Sequence, residues 1–109
     1  MNQSGLEGLS LDGRSALVTG AGAPDGIGFA TARLLAARGA RVALAATGNR
    51  IEERAAEIEA AGGEAIGLIA DLRDEEQANR LVSAAAERFG PAEIVVNNAG
   101  MVQSGEALS

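Results

Sequence analysis

Cysteine, histidine, lysine, tyrosine and tryptophan are all missing from this chain. Without cysteine neither a disulfide framework nor a thiolate metal site can form, and the lack of histidine argues against a zinc centre as well. The same absences remove most side chains that exchange protons near neutral pH, so any catalytic role has to be assembled without them. Positive charge is scarce too. Nine basic residues, all arginine, stand against fifteen acidic ones, and the net charge of −6 disfavours a nucleic-acid or anionic-membrane partner. No apolar run reaches membrane length, and the opening MNQSGLEGLS has neither the basic region nor the apolar core of a targeting segment. A soluble, cytoplasmic protein is the expectation.

What the chain does have is small residues, and 15 of its 109 are glycine. They concentrate in the stretch from Leu17 to Ala30, LVTGAGAPDGIGFA, which reads as a buried strand running into a glycine-rich turn and then a helix. That arrangement offers backbone N–H groups and a positive helix end to a phosphate. Gly20, Gly22, Gly26 and Gly28 are expected to take positive φ and to let the backbone approach a ligand with no Cβ in the way. The generic G-x-G-x-x-G register fails here, because its third glycine would fall on Asp25.

In chain order, residues 1–13 read as a loose arm ending in a turn at Leu11-Asp12-Gly13, and Ser15 to Thr19 reads as the first strand. A helix is expected from about Gly26 to Arg38 with Ile27, Ala30, Leu34 and Leu35 on its inner face, stopped by Gly39. Arg41 to Ala46 forms a second strand. Asn49 with Glu52 has the form of a capping pair for a second helix, whose apolar positions are Ile51, Ala55 and Ile58 and whose stop is Gly62-Gly63. Ala65 to Ala70 is a third strand. Asp74 with Gln77 opens a third helix with an inner stripe of Ala78, Leu81, Val82, Ala85 and Phe89, and after Gly90-Pro91 comes a fourth strand, Ile94 to Asn97. Strands that are apolar almost throughout, alternating with helices, predict a doubly wound parallel α/β sheet of Rossmann type with strand order 3-2-1-4. The whole chain reads as one partial domain, with residues 101–109 starting a connection that reaches no fifth strand.

Three motifs give the chain a family likeness. Thr19-Gly20 followed by Gly26-Ile27-Gly28, Asp71-Leu72 after the third strand, and Asn97-Asn98-Ala99-Gly100 at the end of the fourth together resemble the short-chain dehydrogenase/reductase family. The resemblance covers residues 11–100 and has one departure: five residues, Ala21 to Asp25, stand where the family usually has three, a spacer length also found in the related enoyl-reductase branch.

That resemblance implies a nicotinamide dinucleotide as cofactor, and an oxidoreductase that moves a hydride between it and a ketone or secondary alcohol of a small-molecule substrate. A 3-oxoacyl-thioester reductase is one such member. Gly20, Gly22, Gly26, Ile27 and Gly28 would then meet the pyrophosphate, with Asp25 turned away from it. Asp71 would accept from the adenine amino group and the Leu72 N–H would donate to the ring, while Asn98, Ala99 and Gly100 would leave room for a ribose. Thr19 would tie the first strand to the Asn97 region. At the end of the second strand no carboxylate awaits the ribose 2′-hydroxyl: Ala46 is followed by Thr47, Gly48, Asn49 and Arg50, a set that favours NADP over NAD, with Thr47 and Arg50 as phosphate ligands. The family's catalytic Tyr-x-x-x-Lys finds no match among these residues, so no catalytic residue is assigned and the chemistry cannot be completed by this chain. The alternative is a non-catalytic nucleotide-binding or interaction module; a methyltransferase-like Rossmann domain is argued against by the asparagine motif. An uncovered fourth strand also predicts self-association.

Overall fold

The structure, a computed structural model, describes residues 10–98. Four strands, β1 (Ser15–Thr19), β2 (Arg41–Ala46), β3 (Glu64–Ile69) and β4 (Ile94–Asn97), alternate with three helices, α1 (Ile27–Ala37), α2 (Ile51–Ala60) and α3 (Glu75–Phe89). The strands form one parallel sheet in the order β3-β2-β1-β4, with Thr19 in register with both Ala45 and Asn97. All four strands therefore end along the same edge, and the order reverses at the β1–β4 junction, where open α/β sheets bind ligands.

Alternation along the strands divides the core into two layers. Ala16, Val18, Val42 and Leu44 face α1 and α2 and pack with Phe29, Ala32, Ile51 and Ile58. Leu17, Ala43 and Ala45 point the other way and pack with Leu81 and Ala85 of α3. Leu11 closes the bottom of the first layer, and its N–H bonds the Arg38 carbonyl at 2.8 Å, so the expected turn at Leu11-Asp12-Gly13 is fastened to the end of α1. Arg54 is buried in this layer. Its guanidinium lies 5.5 Å from the centre of the Phe29 ring and is paired to Glu57 at 2.7 Å.

Several local expectations need correction. The inner face of α1 is Gly28, Phe29, Ala32 and Ala36, whereas Ile27 and Leu34 are 76% and 56% exposed and Ala30 is exposed as well. Small residues at intervals of four let the helix axis come close to the sheet and Phe29 fills the remaining space, so size complementarity rather than apolar content selects the face. Val82 of α3 also points outward, while Leu81, Ala85 and Phe89 are buried. Asn49 does not cap α2 with its side chain. The chain is already wound at Arg50 (φ −65°), which holds the cap position, and Asn49 contributes only its carbonyl, accepting from Glu52 N at 3.3 Å; a side-chain cap needs extended backbone at the cap residue. Asp74 does have that backbone, and its carboxylate accepts from the N–H groups of Glu76 and Gln77.

Candidate functional site

Where β1 ends, Gly20 turns the chain with φ +67°, a conformation that side chains with a Cβ rarely adopt. Gly22, Gly26 and Gly28 do not take positive φ, contrary to expectation. Gly28 serves a different need: a Cβ placed there would overlap the Gly20 carbonyl, so the glycine lets the start of α1 lie directly on the turn. Gly26, the N-cap of α1, is extended and supplies no side-chain cap, and the first turn carries no acidic residue. α2 and α3, by contrast, hold Glu52 and Glu53, and Glu75 and Glu76, in their first turns. The uncompensated positive end of a helix, with unpaired N–H groups, is thus at α1, beside the β1 turn.

A cavity of about 610 Å³ opens along the carboxyl edge of the sheet, a size that accommodates a small-molecule ligand. It brings together six of the residues singled out from the sequence: Gly20, Gly22, Thr47, Arg50, Asp71 and Leu72. Gly26, Ile27, Gly28 and Asn98 do not line it, and Ala99 and Gly100 lie outside the described residues. Asp25 is exposed and also off the lining, which keeps its charge out of the cavity. Ala23, Pro24 and Arg73 line the cavity without having been anticipated. The first two belong to the five-residue spacer, whose extra length forms part of the wall. Arg73 had a signal that was missed, namely its place two residues beyond an Asp at a strand end, within reach of that carboxylate.

The β3–α3 loop is tightly ordered. Arg73 forks onto Asp71, with Nε on Oδ1 at 3.0 Å and Nη2 on Oδ2 at 2.9 Å, and the Arg73 backbone N–H donates to Oδ1 at 3.0 Å. The guanidinium's hydrogen bonds, followed by that of the backbone N–H, hold the Asp71 carboxyl below its ordinary value against a weaker opposing effect of desolvation. Gln77 reaches back to accept from Asp71 N at 2.8 Å and donates to Asp74 Oδ2 at 3.3 Å. Across the sheet, Thr19 Oγ1 donates to Asn97 Oδ1 and accepts from Asn98 N, while the buried Asn98 Nδ2 has no partner among the described residues.

The sequence matches the short chain dehydrogenase family over residues 14–109. The chain belongs to that family. It is 41% identical over 104 residues to versicolorin reductase stcU of Emericella nidulans, a match covering 94% of this chain and 39% of the relative. Among solved structures, a dehydrogenase/reductase from Sinorhizobium meliloti 1021 superposes with a TM-score of 0.83 at 40% identity, over 91% of this chain and 39% of that one. An actinorhodin polyketide ketoreductase variant solved with NADPH gives a TM-score of 0.76 at 42% identity, over 80% of this chain and 33% of that one. The chain spans about two fifths of the length of the first two and a third of the last. The sheet order and the three helices are those of the amino-terminal portion of a short-chain dehydrogenase, a family that binds a nicotinamide cofactor.

The residues present fit such a cofactor. A turn with a glycine in the left-handed region, a helix start without a side-chain cap, a cavity over the carboxyl ends of β1, β2 and β3 and a pinned carboxylate are features that suit an adenine dinucleotide.

Proposed function

We propose that this chain is the nicotinamide-dinucleotide-binding portion of a short-chain dehydrogenase that interconverts a ketone and a secondary alcohol, and that it prefers NADP to NAD. The observation that carries the reading is the single cavity shared by the Gly20 turn, the end of β2 with Arg50, and the Asp71-Leu72 loop, in a chain of this family. When bound, the nicotinamide supplies or accepts the hydride. The chain's own residues bind and orient. N–H groups at the start of α1 and the Gly20 turn receive the pyrophosphate, Asp71 accepts from the adenine amino group, and Leu72 N–H donates to the ring. The asparagine motif borders the ribose. The fixed fork of Thr19 with Asn97 and Asn98 holds β4 at the height of the β1 turn.

The NADP preference is supported by the lack of any carboxylate from Ala46 to Arg50 and by Arg50 on the cavity wall. A guanidinium there can meet a 2′-phosphate in a bidentate fashion. The related ketoreductase solved with NADPH points the same way. Calorimetric titration of the chain with NADPH and NADH tests the proposal. Tighter binding of NADPH is expected, with Arg50→Ala weakening NADPH and leaving NADH unchanged. No binding of either dinucleotide would refute the cofactor reading, and equal affinities unaffected by Arg50→Ala would refute the preference.

A further inference from the structure

Arg73 is a charged side chain on the cavity lining to which the reading above gives no task. Its side chain is 73% exposed, yet it makes a two-pronged contact with Asp71 rather than extending into water. An ionised carboxylate offers roughly four acceptor positions. Three N–H groups of Arg73 take two on Oδ1 and one on Oδ2, which leaves a single position, on Oδ2. Gln77 fixes the same residue from the backbone side. The neighbouring Leu72 N–H donates to no described group. The loop therefore presents one acceptor of fixed position next to one free donor.

We propose that Arg73 is a positioning residue for base recognition, restricting Asp71 to one acceptor so that the loop selects a 6-amino purine dinucleotide over its 6-oxo counterpart. This rests on the dinucleotide reading above. Adenine carries an amino donor beside an acceptor ring nitrogen and matches that pair. Hypoxanthine reverses both, with a carbonyl oxygen in place of the amino group and an N–H on the ring. Without the Arg73 side chain the carboxylate keeps only the backbone N–H of residue 73 and can swing an oxygen onto that ring N–H, so the reversed pattern is penalised less. The selectivity thus lies in the immobility of Asp71 as much as in its charge.

The test is calorimetric titration of the full chain with NADPH and with its deaminated form, reduced nicotinamide hypoxanthine dinucleotide phosphate. The starting protein should prefer the adenine form by about tenfold or more, the scale of one hydrogen bond to a charged group. Arg73→Ala should lower the ratio to about threefold or less, chiefly by tightening the hypoxanthine form. Arg73→Gln, which keeps a side-chain donor but cannot fork, should give the same loss and serves if the alanine variant folds poorly. A simple loss of loop structure would weaken both ligands alike and leave the ratio standing. An unchanged ratio in either folded variant overturns the proposal, as does a starting protein that binds both forms equally. Failure of the starting protein to bind either form would overturn it together with the dinucleotide reading, and is told apart by the missing heat with NADPH itself.

Discussion

The Thr19 hydroxyl donates to Asn97 Oδ1 at 2.8 Å and accepts from Asn98 N at 3.0 Å, joining the ends of β1 and β4 where the sheet order reverses. Thr19 is buried at 4% exposure, so neither bond is easily replaced by water. Thr19→Val keeps the shape and removes both bonds. Destabilisation of about 1–3 kcal/mol is expected in urea unfolding. Thr19→Ser, which retains the hydroxyl, should lose less than half of that. Equal stability of the valine variant would show that the fork is incidental.

That fork, like the sheet, could be read from the sequence. β1 and β2, buried on both faces, leave apolar runs between glycines, and β1, β2 and β4 fall on the expected residues. Helix faces were harder. Ile27 and Leu34 look like core and are not, because the sheet side of α1 is chosen by how closely Gly28, Ala32 and Ala36 let it approach, a three-dimensional quantity that apolar periodicity does not carry. In the cavity, Gly20, Gly22 and the Asp71-Leu72 pair are residues that the motifs single out, whereas Gly26 and Gly28, singled out by the same motif, lie off its lining. Arg73 was not legible, since its place two residues beyond Asp71 is the one signal it carries, and sequence does not show that the side chain folds back on that carboxylate rather than extending into water.

Gly28→Ala tests the packing of α1 on the β1 turn. The added methyl would overlap the Gly20 carbonyl, and since backbone lies on both sides of the contact, the helix start must move. A loss of about 1–3 kcal/mol is expected from the overpacking. Because the displaced turn is the same one that would receive the pyrophosphate, NADPH affinity should fall with it. Thermal unfolding and calorimetry read the two effects separately; a stable variant with intact affinity would remove Gly28 from the phosphate site.

Among the described residues β4 has no neighbour on its outer side, and Val95, in register with the buried Leu17, is 62% exposed. An open strand edge beside uncovered apolar side chains recruits other chains. Sedimentation velocity of the 109-residue chain is expected to show association that grows with concentration. Val95→Lys should reduce it. A monomer across the whole concentration range would contradict this.

Reduction of a ketone by this chain alone should not be measurable. It contains no tyrosine and no lysine, and a positioned general acid typically supplies about 10²–10⁴-fold. Binding of NADPH without turnover is the expected pairing of results. Turnover that co-purifies with the intact chain and persists after contaminating reductases are removed would contradict it.

The end of β2 provides the sharpest test of cofactor choice. Ala46 is half-buried at the cavity wall and is followed by Thr47, Gly48, Asn49 and Arg50, so the position that would carry an acid in an NAD-selective site carries a methyl group. Ala46→Asp introduces a carboxylate where the 2′-phosphate is expected, in a partly desolvated wall that screens charge less than open water does. NADPH binding should weaken by about 1–3 kcal/mol through like-charge repulsion, while NADH gains an acceptor for its 2′-hydroxyl and should bind no worse. Space is limited on one side, because a Cβ at Gly22 would sit 3.1 Å from that of Ala46, so the aspartate has to extend toward Thr47 and the cavity rather than toward the β1 turn. Raising the salt concentration should shrink the NADPH penalty and leave NADH unaffected. Parallel weakening of both cofactors would instead mean that the substitution crowds Gly22, and a null effect on both would place the ribose away from the end of β2.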